Sequence, residues 1–249
     1  MKQISRRILF ANTVAAMAAG RLSAHLSPVE EASPKKKLKV VVTGGHPGDP
    51  EYGCGGTIAR YTDAGHEVVL LYLNRGEKNC SSGPGNDSEP RVKEAKKACS
   101  ILHARAVFAA QCDGNAIIDH AHYEEFQRLI EAEHPDVVFT HWPIDNHRDH
   151  RAISNLTYDA WIKTGKRSAF YYYEVSNGED TLMFQPSDYI DISTVESRKR
   201  KACYAHASQA PDRFWRLQSD VTRYRGLEIG YKQAEGFVRH VQSQSNLLP

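Results

Sequence analysis

Apolar residues in this chain fall into short unbroken runs separated by longer stretches of helical spacing. Leu38 to Thr43 is a short β-branched run, and Glu67 to Leu73 is a second run of the buried-strand type; both predict strands. Between them Gly55 to Ala64 reads as a helix closed by Gly65, which makes a βαβ opening. The pattern continues with a helix at Arg91 to Leu102, a strand at Ala106 to Ala109 and an amphipathic helix from Tyr123 to His134, stopped by Pro135. Asp136 to Thr140 is the next strand. From His150 to Thr164 the residues Ala152, Ile153, Leu156, Ala160 and Trp161 share one helical face, with Gly165 as C-cap. Phe170 to Val175 reads as a further strand. Ser193-Thr194-Val195-Glu196 has capping-box spacing and is expected to open a basic helix through about Ser208. Strands alternating with helices imply an α/β fold in which helices cover both faces of a mainly parallel sheet. No internal repeat or second domain interrupts it.

Composition narrows the function classes. The chain has 249 residues, 41% of them hydrophobic and 25% charged, which suits one ordinary domain. Its formal charge of +2 carries no field that implies a nucleic-acid partner. No apolar run beyond the N-terminal segment is long enough to span a bilayer. The five cysteines are too widely spaced for a CxxC metal site, and their odd number leaves one unpaired within a monomer. The first 24 residues read as an export signal: Lys2, Arg6 and Arg7 precede an alanine-rich apolar stretch, and Arg6-Arg7 resembles a twin-arginine signal, with general secretion as the alternative. Residues 25–37, with Pro28, Pro34 and Lys35-Lys36-Lys37, read as a linker, and the folded domain is expected over 38–249. The protein is therefore expected outside the cytoplasm, in a periplasmic or extracellular compartment.

Ligands of such sheets bind beyond the carboxyl ends of strands. Two loops there are dense in histidine and carboxylate: Gly44 to Glu51, containing His46-Pro47-Gly48-Asp49, and His141 to His150. A dinucleotide site fails because Ile58 stands where the third glycine of G-x-G-x-x-G is needed, and no P-loop occurs. His46, Asp49 and His150 instead offer two nitrogens and one oxygen, a donor set suited to a catalytic Zn2+ with open positions.

With these residues in place the sequence resembles the PIG-L/LmbE-type deacetylases, zinc hydrolases that remove acetyl groups from N-acetylglucosamine-type sugars. The resemblance runs from Val40 to about Phe237 and includes His46-Pro47-x-Asp49, Gly53 to Thr57, Asn74-Arg75-Gly76-Glu77, Thr140 to His150, Arg198-Lys199 and His206-Ala207-Ser208-Gln209. It implies a Rossmann-like sheet without a dinucleotide, and a metal, Zn2+ or Fe2+, on His46, Asp49 and His150. It also implies His147 beside the substrate carbonyl, Asp149 as its orienting partner and Arg75 as a sugar contact. For His206 and Gln209 it supplies no role, and helix packing is their expected use. One departure matters: the family usually reads His-Pro-Asp-Asp, whose first aspartate takes the proton of the attacking water, and here Gly48 occupies that position.

The missing base leaves Asp145 or Glu51 as replacements. Asp145 is favoured because family members reach into the active site from that position, and Glu51 can instead favour the helix N-terminus. A general base contributes roughly 10² to 10⁴ in rate, so restoring a carboxylate by Gly48→Asp is expected to raise activity about tenfold or more. Trp142 and Tyr171 to Tyr173 could stack on a sugar, although strand packing accounts for most of that run. The implied reaction is amide hydrolysis of a small-molecule or oligosaccharide N-acetyl sugar. Two other classes compete with it, a sugar-binding protein that lost turnover with Gly48 and a metal hydrolase of another acyl group or ester.

Overall fold

A computed structural model describes residues 36–76, 89–243 and 246–249. The expected export segment, 1–24, and all but the last two residues of the expected linker lie outside them. In chain order the elements are β1 (Lys39–Gly44), α1 (Asp49–Asp63), β2 (Glu67–Asn74), α2 (Glu89–Leu102), β3 (Arg105–Gln111), α3 (His120–Glu133) and β4 (Val137–His141). They continue with α4 (Arg148–Lys163), β5 (Ala169–Tyr173), β6 (Asp188–Asp191), α5 (Glu196–Tyr204), a 3-10 turn at Ala207–Gln209, α6 (Pro211–Ile229) and β7 (Ala234–Arg239). The strands form a seven-stranded sheet in the order β3-β2-β1-β4-β5-β7-β6. β1 to β5 are mutually parallel, while β7 runs antiparallel to both β5 and β6. The sheet is thus mostly parallel and mixed at one edge.

Alternation along β1 explains why its valines are all interior. Val40 and Val42 pack with Tyr52, Ile58 and Leu70 on one face, and Val41 packs with Ala152, Ile153 and Leu156 on the other. Each side chain so buried contributes about 1.5–3 kcal/mol. Sheet order reverses at β1, which pairs with β2 on one side and β4 on the other. The crevice beyond the carboxyl ends of β1 and β4 is therefore the topological switch point, and the two histidine-rich loops lead out of it.

Three features stand apart from the sequence reading. α6 and the β6/β7 edge have no counterpart in it. The capping box at Ser193 does not form: the Ser193 hydroxyl bonds Asp191 Oδ1 at 2.5 Å, and α5 starts from Val195 without a side-chain cap. Among the described residues, no helix is long and apolar enough to cross a membrane.

Candidate metal centre and cleft

β1 delivers the chain to Gly45, where a Cβ would lie 2.9 Å from the His150 ring and 3.1 Å from Asp49 Oδ2. Only glycine lets the two loops approach this closely. Asp49 opens α1, and its Oδ2 accepts the His46 backbone N–H at 2.8 Å. On the facing loop His147 is the N-cap of α4, its Nδ1 accepting the Asp149 N–H at 3.2 Å. A neutral His147 that accepts at Nδ1 carries its proton on Nε2.

Asp49 Oδ2 is in reach of a nitrogen from each of two histidines. His46 Nδ1 lies 3.2 Å and His150 Nε2 3.3 Å from Asp49 Oδ2. The second nitrogen of each histidine is held by carboxylates: His150 Nδ1 meets the buried Asp145 Oδ1 at 3.1 Å, and His46 Nε2 meets the buried Asp149 Oδ2 at 3.1 Å and the half-buried Asp113 Oδ1 at 3.2 Å. Carboxylates that orient histidines in this way are the usual outer shell of a metal site. Among the described residues three groups are compact enough to hold an ion: His46 with His147 and His150, Asp49 with His141 and His150, and His46 with Asp113 and Asp149. His46 and His150 each appear in two of them and Asp49 in one, a nitrogen and oxygen donor set that suits a divalent ion. His141 Nε2 is also 3.3 Å from Asp49 Oδ2, but it accepts the Gly45 N–H at 3.2 Å and so fastens the β1 loop to β4.

Charge follows from these contacts. Burial opposes protonation of His46, but Asp49, Asp113 and Asp149 outweigh it and hold His46 well above its usual pKa. Burial likewise depresses His150, yet Asp49 and Asp145 lift it to about 9. Burial would neutralise Asp49, and the charges of His150 and His46 keep it ionised, well below the usual range. Burial and the neighbouring His150 charge push His141 down to about 4. Burial, then His46 and His150, also lower His147, so it stays a neutral imidazole at neutral pH.

Beside this cluster opens a cleft of about 280 Å³. His46, Asp49, His147 and His150 line it together with Gly48, Tyr52, Arg91, Asp113, Ser176, Asp180, His206, Gln209 and Phe214. Several expected roles change here. Asp145 is 6% exposed and does not line the cleft; one oxygen takes His150 Nδ1 and the His147 N–H, and the other takes Thr181 Oγ1 at 3.0 Å. A carboxylate so occupied orients His150 and is not free to act as the base. Asp149 orients His147 only through its backbone N–H, since its carboxylate goes to His46 and to the Gly114 N–H at 2.7 Å. Glu51 turns inward, accepting Tyr72 Oη at 2.8 Å and His206 Nε2 at 2.9 Å.

Arg75 is exposed and outside the cleft lining. Arg91 lines the cleft instead, donating to Asp113 Oδ2 and to the Pro47 carbonyl at 3.2 Å each. Sequence spacing singles out neither Arg91 nor Asp113. Tyr171 and Tyr173 are fully buried, and the aromatic walls of the cleft are Tyr52 and Phe214. His206 and Gln209 reach the cleft, beyond the packing role expected of them. Gly48 adopts φ 117°, a conformation L-residues rarely hold, while a Cβ there would meet nothing nearer than the Tyr52 ring at 3.8 Å. Space exists for a side chain, but the backbone resists one by about 1–3 kcal/mol.

Comparison with known proteins agrees with this architecture. Residues 41–161 match the family profile described as PIG-L: GlcNAc-PI de-N-acetylase. The chain is 30% identical over 219 residues to diacetylchitobiose deacetylase of Thermococcus kodakarensis, covering 80% of this chain and 81% of that protein. Conserved protein TT1542 from Thermus thermophilus has a similar structure, with a TM-score of 0.72 and 27% identity, covering 84% of this chain and 97% of that one. N,N'-diacetylchitobiose deacetylase from Pyrococcus horikoshii shares the fold at a TM-score of 0.71 and 23% identity, covering 86% of this chain and 88% of that one.

Proposed function

The chain belongs to the PIG-L family, and from that premise we propose that it is a zinc-dependent hydrolase that removes the acetyl group from an N-acetylglucosamine-type sugar or glycoconjugate. The observation that carries this reading is the convergence of His46 Nδ1 and His150 Nε2 on Asp49 Oδ2, each ring braced from behind by a carboxylate. These three residues would hold the ion, which when bound polarises the acyl carbonyl and makes water more acidic.

The chain's own groups do the rest. His147, neutral and holding its proton on Nε2, donates to the acyl oxygen as negative charge develops there. Arg91 and Asp113 offer a paired donor and acceptor to sugar hydroxyls, and Tyr52 and Phe214 supply apolar walls for a ring. The test is acetate release from N-acetylglucosamine and N,N'-diacetylchitobiose, with metal content measured on the same sample. Zinc retained without acetate release from any N-acetyl sugar would leave a sugar-binding protein; release from simple esters or longer acyl groups alone would leave the other hydrolase class.

We also infer that the protein works outside the cytoplasm. Support comes from Arg6-Arg7 before the alanine-rich segment and from the disulfide at Cys112, since such bonds persist in oxidising compartments. Mass spectrometry of the native protein should find a start after residue 24. A cytosolic protein with residues 1–24 intact would rule this out.

A further inference from the structure

The geometry points to Asp180 as the carboxylate that accepts the proton of the attacking water, in place of the side chain missing at position 48. This inference rests on the deacetylation proposed above. Among the described carboxylates near the ion-binding cluster, Asp145 and Asp149 are occupied by the contacts already described, Glu51 is fully buried and does not line the cleft, and Asp49 belongs to the donor set. Asp113 lines the cleft but is shared between His46 Nε2 and Arg91 Nη1, at 3.2 Å each. Asp180 lines the same cleft from a different loop, the one after β5.

The turn that carries it is fastened to the His147 and His150 loop from both sides. Asp180 N–H donates to the Ser176 carbonyl at 2.9 Å, and the Asp180 carbonyl accepts the Asn146 N–H at 2.8 Å. The next residue, Thr181, bonds Asp145 Oδ2 at 3.0 Å, and Leu182 N–H donates to the Ile144 carbonyl at 3.0 Å. The backbone on which Asp180 sits is therefore indexed to the same Asp145 that orients His150. A base must be held within reach of its proton, and this bracing fixes its place.

Its electrostatic surroundings suit the task. Burial raises Asp180 above the usual carboxylate range; His150 and the Ser176 hydroxyl oppose this, and Asp145 and Asp49 add to it. His46, His147, His206, Arg91 and Asp113 line the same cleft, and Glu179, which precedes Asp180 in the chain, pairs with Arg213 of α6. A raised pKa makes the anion a stronger base, and it places the acid limb of activity at a higher pH than an ordinary aspartate gives.

The chemistry balances. One O–H bond of water breaks and its proton goes to the Asp180 carboxylate while the water oxygen bonds to the acyl carbon. The C–N bond then breaks, Asp180 returns the proton to the departing nitrogen, and the products are the free amine and acetic acid, which ionises to acetate. Gly48 is consistent with this arrangement, because its loop has taken a backbone conformation in which an aspartate is strained.

The experiment compares wild type with Asp180→Asn and Asp180→Glu on N,N'-diacetylchitobiose, with kcat and KM measured across pH and zinc affinity measured by competition with a chelator. With zinc kept saturating at every pH, Asp180→Asn should lower kcat by roughly 10² to 10⁴ with little change in KM, remove the acid limb of kcat that Asp180 sets and leave zinc affinity unchanged. Asp180→Glu should recover part of the rate, and Gly48→Asp should not raise kcat in wild type. Activity of Asp180→Asn within about threefold of wild type, an unchanged acid limb, or a parallel loss of zinc would overturn the assignment. A wild type that releases no acetate overturns the proposed function itself, and the role of Asp180 with it.

Discussion

Replacing His150 with alanine is expected to remove most of the divalent metal from the purified protein and to abolish activity with it. His150 supplies one of two nitrogens in a three-residue donor set, and its Nε2 lies 3.3 Å from Asp49 Oδ2. Its loss leaves one nitrogen and one carboxylate. The support behind it should matter less: Asp145→Asn keeps the side chain's size but weakens the hold on His150 Nδ1, and an outer-shell change of this kind costs roughly 10 to 100-fold in metal affinity. His141→Asn, which disturbs the neighbour that fastens Gly45, should retain stoichiometric metal. The order of affinities, wild type above Asp145→Asn above His150→Ala, is read by metal analysis after dialysis. Unchanged zinc affinity in His150→Ala would reject the donor set, and a loss of metal in His141→Asn as large as that in His150→Ala would move the site to the Asp49, His141, His150 group.

Proton linkage gives the same assignment a second readout. Without metal, His150 holds its proton up to about pH 9 and His46 is raised in the same direction. An ion that binds His46 Nδ1 and His150 Nε2 must displace those protons, so affinity rises with pH through the neutral range, by about tenfold per unit for each proton displaced. A pH-independent affinity between about pH 6 and 8 would contradict ligation by the two histidines.

The α/β plan was legible because its evidence is apolar: β-branched runs for β1, β2 and β4, and helical apolar spacing for α3 and α4. α6 escaped for the opposite reason. Its buried positions are Trp215, Gln218, Thr222, Arg225 and Gly226, spaced as a helix face requires but mostly polar. Such a face shows no apolar stripe, and it is buried through contacts invisible in the sequence, such as the paired bonds from Arg225 Nε and Nη2 to Glu174 at 2.7 and 2.9 Å. β7 is disguised likewise, with Glu235 facing inward and Gly236 in mid-strand.

At the site, the His-x-x-Asp and His-x-x-His spacings marked the loops, and strand order brought them together. Spacing could not say which carboxylates are spent. Asp145 looks free in sequence and is saturated in three dimensions, whereas Asp113 and Asp180 come from loops after β3 and β5 with no motif to mark them. Arg75 sits in a recognisable run and Arg91 does not, yet it is Arg91 that reaches the cleft. It passes over Gly76, where a Cβ would lie 2.4 Å from its Cδ, a contact between residues that nothing in their spacing announces.

Glu235→Ala is expected to destabilise the fold by about 3–5 kcal/mol, because it strands a buried charge. Lys199 on α5 is fully buried, and its Nζ lies 2.5 Å from Glu235 Oε1. The same carboxylate accepts the Gly56 and Thr57 backbone N–H groups of α1, at 2.8 and 2.7 Å. One side chain of β7 thus ties together α1, which begins at Asp49, and α5, which leads into His206. At about 2–4 °C per kcal/mol for a chain of this size, the melting temperature should fall by roughly 6–20 °C. Removing the charge as well as its partner separates electrostatics from packing: Lys199→Met in the Glu235→Ala background should recover part of the loss, since an apolar side chain needs no counter-ion, while the α1 N–H groups remain unsatisfied. The cycle in thermal or denaturant unfolding decides this. If Lys199→Met added its own penalty in full to that of Glu235→Ala, the two residues would not be coupled and the ion pair would not be what holds this junction.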